Sequence, residues 1–194
     1  MNHRLYYFTG TGNSLWVARK LAEILLGTIG GEDRVTILPI TSLSSEGEAE
    51  ASPSASEIDP FGTYSAPLTS RKDPPASSGT GPLAPPDTVG LVFPVHAWGV
   101  PRIILRALPA LRGAGYYYAL AVNAGQVANT LVQLGKEMKK CGMELASGFS
   151  IRMPSNYLPF GGAEPEEVQE RCFKEALEKS VSYTHLRAHE TPEH

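Results

Sequence analysis

The chain has 194 residues, 42% of them hydrophobic and 19% charged, enough apolar material for one globular domain with its own core. A formal charge of -3 without a basic cluster argues against nucleic acid or an anionic membrane as a partner. No apolar stretch reaches membrane-spanning length and no signal-peptide layout opens the chain. Cys141 and Cys172 stand apart without ligand spacing, so a cytoplasmic protein is expected, with neither a disulfide framework nor a structural metal.

An apolar run from Leu5 to Phe8 predicts a first strand. The run from Leu15 to Leu26 predicts a helix, because Val17, Ala18, Leu21, Ile24 and Leu25 share one face; Asn13 or Ser14 is the expected N-cap. The helix ends near Gly27, and Gly30-Gly31 leads into a strand from Arg34 to Leu38 that Pro39 stops. From 41 to 86 the composition turns to Ser, Pro, Ala and Gly and holds half of the sixteen prolines, which predicts a disordered insertion where a crossover helix is otherwise expected. Thr88 to Phe93 is a continuous apolar run, the pattern of a strand buried on both faces. Pro101 is expected to open a short helix through Ile103, Ile104 and Leu108, which Pro109 limits. A fourth strand follows from Tyr116 to Val122, and then a helix from about Gln126 to Lys140, capped by Gly142. A fifth strand from about Leu145 to Met153 and a last helix from about Glu164 to Lys179 complete the pattern, the latter with Val168, Cys172, Phe173 and Ala176 on one face.

Strands alternating with helices predict an α/β, doubly wound five-stranded parallel sheet of order 2-1-3-4-5, with a ligand site at the carboxyl ends where the order reverses. Three loops converge there: Thr9 to Ser14, Pro94 to Gly99 and Asn123 to Gln126. The first is Thr9-Gly10-Thr11-Gly12-Asn13-Ser14. It presents helix-start N–H groups and three hydroxyls, a donor set for an anion. No Lys follows the glycines, which argues against a nucleoside triphosphate; Leu15 stands where the dinucleotide fingerprint has its third glycine. The loop resembles the flavodoxin phosphate loop, T/S-x-T-G-x-T/S, which holds the phosphate of FMN without a basic side chain, and the match is full.

Together with Gly90-Leu91-Val92-Phe93-Pro94-Val95-His96-Ala97-Trp98-Gly99-Val100-Pro101 and Met153-Pro154-Ser155-Asn156-Tyr157, this loop resembles the EFR-type ferredoxin family. Its members join a flavodoxin-like FMN domain to a C-terminal module with two [4Fe-4S] clusters. The resemblance spans residues 1 to about 180 outside the insertion. It implies that Thr9, Gly10, Thr11, Gly12, Asn13 and Ser14 hold the FMN phosphate. It also implies that Pro94, Val95, His96, Ala97, Trp98 and Gly99, with Asn123, Ala124, Gly125 and Gln126, flank the isoalloxazine. A flavin stacked on Trp98, in a loop without Lys or Arg, would have its reduced negative charge poorly stabilised, which lowers the potential; Gly99 would let a loop carbonyl turn toward the flavin N5. Trp98 as a core anchor is the competing reading, and His96 and the Asn156-Tyr157 pair carry no assigned role.

The cysteine runs of the cluster module are absent, so no [4Fe-4S] cluster is expected in this chain. Residues 181 to 194 resemble an in-frame translation of a sequencing adapter, which makes them an expected non-native or disordered tail. The resulting expectation is an FMN-binding, low-potential electron-transfer domain, an electron carrier rather than a turnover enzyme. Its partner would be a redox protein or the missing ferredoxin module. Two alternatives stand: a flavin-dependent NAD(P)H or quinone reductase, and a flavin-free interaction module of the same fold.

Overall fold

The computed structural model describes residues 1–28, 34–43, 85–155 and 162–188, the last of these by backbone alone from residue 181. Residues 44–84, nearly all of the expected insertion, lie outside it, as do Asn156, Tyr157 and the end of the expected tail. The elements are β1 (Asn2–Tyr7), α1 (Asn13–Thr28), β2 (Arg34–Pro39), β3 (Thr88–Pro94), α2 (Arg102–Ala107), β4 (Tyr116–Asn123), α3 (Thr130–Lys140), β5 (Ser147–Arg152) and α4 (Glu166–Ala188). All strands pair in parallel, in the order β2-β1-β3-β4-β5 expected from the sequence. Pro39 closes β2 at the sheet edge, where its missing N–H costs no ladder bond.

Alternation along the two central strands builds two cores. Val89, Leu91 and Phe93 of β3, with Tyr117, Ala119 and Ala121 of β4, pack against Ile104, Leu134 and Met138 of α2 and α3. Val92, Tyr118, Leu120 and Val122 point to the opposite layer, with Val17, Leu21 and Leu25 of α1 and Ala176 of α4. Every β3 residue from Thr88 to Phe93 is therefore buried, which explains its unbroken apolar run. Trp16 of α1 leans on Phe173 of α4 with ring centroids 4.9 Å apart.

Several boundaries differ from the sequence expectation. Pro101 precedes α2 instead of opening it; its ψ of 137° is extended while its carbonyl accepts from the Ile104 amide at 3.0 Å. The third helix starts at Thr130, four residues after Gln126, because Ala128 takes a positive φ of 46° and the Thr130 hydroxyl binds the Val127 carbonyl at 2.6 Å. Its other end is as expected. Gly142, at φ 77°, donates to the Lys139 carbonyl and Met143 donates to that of Met138, a Schellman closure. Strand β5 is shorter than expected at both ends, and α4 continues past Lys179 to Ala188. Thr41 to Leu43, at the start of the expected insertion, extend a 3₁₀ turn from fully buried Ile40.

The turn before β4 hangs on one hydroxyl. The buried Tyr117 phenol donates to the Leu111 carbonyl at 3.0 Å and accepts from the Ala114 amide at 3.0 Å. Tyr117→Phe is expected to cost about 1–2 kcal/mol by leaving both backbone groups unpaired, a loss of roughly 4 °C in Tm by circular dichroism. An unchanged Tm would show that water takes over both bonds.

Candidate functional site

The carboxyl ends of β1, β3, β4 and β5 open onto a cleft of about 350 Å³. Its first wall is the loop after β1. Here Thr9 Oγ1 accepts from the Gly12 amide at 3.0 Å, folding the loop back on itself. Gly12 adopts a φ of 99°, which only glycine takes without strain, and its carbonyl accepts the first helical bond from the Trp16 amide at 2.9 Å. Gly12 therefore occupies the N-cap position, and the expectation of Asn13 or Ser14 there is corrected. Freed from capping, the Asn13 side chain donates through Nδ2 to the Pro154 carbonyl at 3.0 Å, while Ser14 is 1% exposed and lines the cleft. Among the described residues, the amides of Asn13, Ser14 and Leu15 have no acceptor, the normal state of a first helical turn. That turn contains no acidic side chain, so the positive end of a 16-residue helix is uncompensated.

Pro94, Val95 and His96 form the second wall. Beyond them the chain makes a tight hairpin in which the His96 amide donates to the Gly99 carbonyl at 3.0 Å and the Gly99 amide returns to His96 at 2.9 Å. Ala97 and Trp98 at its tip have φ of 46° and 60°, the type I′ arrangement that ordinarily takes Asn-Gly. Each non-glycine residue held there costs on the order of 1–2 kcal/mol. Gln133 of α3 fixes the base of the hairpin, its Oε1 accepting from the Val100 amide at 2.9 Å. A Cβ at Gly99 would lie 2.9 Å from the same oxygen and would push the end of the Gln133 side chain aside. The Gly99 carbonyl itself is held in the hairpin by the His96 amide. Trp98 is 68% exposed, which removes the core-anchor alternative. The His96 ring meets Phe8 edge-on at 5.7 Å.

The third wall comes from the end of β4. Asn123 belongs to the strand rather than to a loop, and its Nδ2 is turned to Ser150 Oγ of β5 at 2.8 Å. Val122, Asn123 and Ala124 line the cleft. The lining thus includes ten of the sixteen residues expected from the sequence: Thr9, Gly10, Thr11, Asn13, Ser14, Pro94, Val95, His96, Asn123 and Ala124. Gly12, Ala97, Trp98, Gly99, Gly125 and Gln126 are not part of it. Met153, Pro154 and Ser155 form a fourth wall that residue chemistry did not assign; they lie in a segment picked out only by family resemblance. Among the described residues, no Lys, Arg, Asp or Glu lines the cleft. Its polarity comes from backbone amides, hydroxyls, two side-chain amides and the His96 imidazole, a surface suited to an anion with several oxygens beside a flat apolar body.

No family model matches the chain, and no curated protein is significantly similar to it in sequence. Among solved structures, it is similar to a flavodoxin from the domain Archaea, with a TM-score of 0.50 and 9% identity over 97% of this chain and 100% of that one. It is also similar to an FMN-dependent NADH-azoreductase from Bacillus anthracis str. Ames Ancestor in complex with FMN. That TM-score is 0.51, with 11% identity over 94% of this chain and 99% of the other. Both are likenesses of fold, and with the strand order they make the architecture flavodoxin-like. Among the described residues, no helix is long and apolar enough to cross a membrane.

Proposed function

We propose that the cleft binds FMN and that the protein is a low-potential electron-transfer domain. The first turn of α1 carries this reading: among the described residues, the amides of Asn13 and Ser14 have no acceptor and border a cleft without an acidic group. Thr9, Thr11 and Ser14 would add hydroxyls to those amides around a phosphate dianion. The volume of about 350 Å³ falls within the range of small-molecule sites, roughly 300–1,000 Å³. Pro94 to His96 and Asn123 to Ala124 would border the ring, and Trp98, two residues from His96, is an aromatic group available to stack beside it.

FMN, when bound, supplies one- and two-electron redox chemistry. The protein contributes a site whose described lining residues include no Lys or Arg to stabilise negative charge gained on reduction, which favours a low potential. The partner in this reading is a redox protein, and the family resemblance of the first loop, Gly90 to Pro101 and Met153 to Tyr157 supports a ferredoxin-type iron–sulfur module in that role. The full chain should be titrated with FMN by fluorescence quenching. Stoichiometric binding, tighter than that of riboflavin, is the expected result, and no binding of FMN would overturn the reading. Rapid steady-state oxidation of NAD(P)H with a quinone by the FMN-loaded protein would replace the carrier role with a reductase role.

A further inference from the structure

A chain of contacts leads from the first loop to a carboxylate outside the cleft. Asn13 Nδ2 donates to the Pro154 carbonyl at 3.0 Å, and the next residue, Ser155, donates its amide to Glu164 Oε2 at 3.1 Å. The other oxygen of Glu164 lies 3.6 Å from Arg152 Nη2 at the end of β5. Its backbone carbonyl accepts from Gln169 Nε2 at 2.6 Å, which ties Glu164 to the first turns of α4. Glu164 does not line the cleft, yet its carboxylate joins the end of β5 to the start of α4 and fixes the peptide on which Asn13 rests.

We infer that Glu164 is a positioning residue for the first loop, acting through Ser155 and the Pro154 carbonyl on Asn13. Asn13 lies 141 residues from Pro154 in sequence, so this bond fixes the first turn of α1 relative to β5. Without the Glu164 acceptor, the 153–155 segment loses its tether on the α4 side and the Asn13 bond loses its fixed target. The consequence falls on the phosphate end of the site, while the walls at Pro94 to His96 and Asn123 to Ala124 keep their own anchors at Val122, Gln133 and Ser150.

The inference rests on the FMN reading for its ligand but has a readout independent of it. In the full chain, Glu164→Ala should weaken FMN about tenfold and leave riboflavin within about twofold, since riboflavin lacks the phosphate. Glu164→Gln keeps an oxygen for the Ser155 amide and should restore FMN affinity. Asn13→Ala combined with Glu164→Ala should be no weaker than Asn13→Ala alone, because the two act in series. In the ligand-free protein, amide hydrogen exchange at Gly12 and Trp16, whose amides are bonded within the loop and the first helical turn, should speed up in Glu164→Ala and return to normal in Glu164→Gln. Unchanged exchange, equal losses for FMN and riboflavin, or full additivity in the double variant would each overturn it. If the parent chain ignores FMN but exchange responds as stated, the flavin reading falls and the coupling from Glu164 to the loop stands.

Discussion

Gly90→Ala is expected to destabilise the protein by about 3 kcal/mol and to lower Tm by roughly 10 °C. Gly90 sits at the centre of the sheet, opposite Leu5 of β1 and Tyr118 of β4. A Cβ there would lie 2.5 Å from Tyr118 Cζ, 2.6 Å from the Tyr118 hydroxyl oxygen and 2.6 Å from Leu5 Cδ2. Leu5 is fully buried and Tyr118 nearly so, within the layer that α1 and α4 cover, so neither can retreat without displacing close-packed neighbours. Gly10→Ala is the matched control, since a Cβ at Gly10 meets nothing within 4 Å. Thermal unfolding followed by circular dichroism decides the matter: equal melting points for the two variants would mean that the Tyr118 ring swings away freely.

The second large effect concerns binding and leaves stability alone. Thr11→Asp should reduce FMN affinity at least about a hundredfold, with riboflavin affinity much less affected. Thr11 is exposed and lines the cleft beside the open amides of Asn13 and Ser14, so a carboxylate there occupies the anion position and repels a phosphate dianion. The described lining residues include no Lys or Arg, so only the positive end of α1, which the new carboxylate itself engages, opposes the repulsion. At an effective dielectric constant near 20, a like charge at about 4 Å costs roughly 4 kcal/mol. The same carboxylate complements the positive end of α1, so Tm should stay level or rise slightly. Parallel titrations with the two flavins test the point, and an equal loss for both would locate the phosphate elsewhere.

The fold was readable because its signals are local. Six consecutive buried residues in β3 must be apolar or small, and a helix that ends in left-handed backbone asks for a residue such as Gly142. The first loop was readable as an anion site for the same reason, since its donors are neighbours in sequence. Its internal geometry was not. Which of Gly12, Asn13 and Ser14 caps the helix depends on a positive φ at Gly12, and either polar side chain fits the usual capping preference. The start of α3 lies beyond the expected one because the unfavourable φ of Ala128 leaves no mark in composition. The roles of Met153 to Ser155 and Glu164 were out of reach, because they arise from contacts between distant parts of the chain: Asn13 with Pro154, and Ser155 with Glu164. Trp98 was noticed, but its direction followed from a turn type that its own side chain disfavours.

The two tryptophans of the chain occupy opposite optical environments. Trp16 is wedged between two helices against Phe173, whereas Trp98 stands in water at the tip of its hairpin. Emission from the first should lie to the blue and resist quenching by iodide, and emission from the second should lie to the red and yield to it. A single fluorescence spectrum therefore carries two separable reports, one on the α1–α4 seam and one on the hairpin that follows β3, without any label being attached.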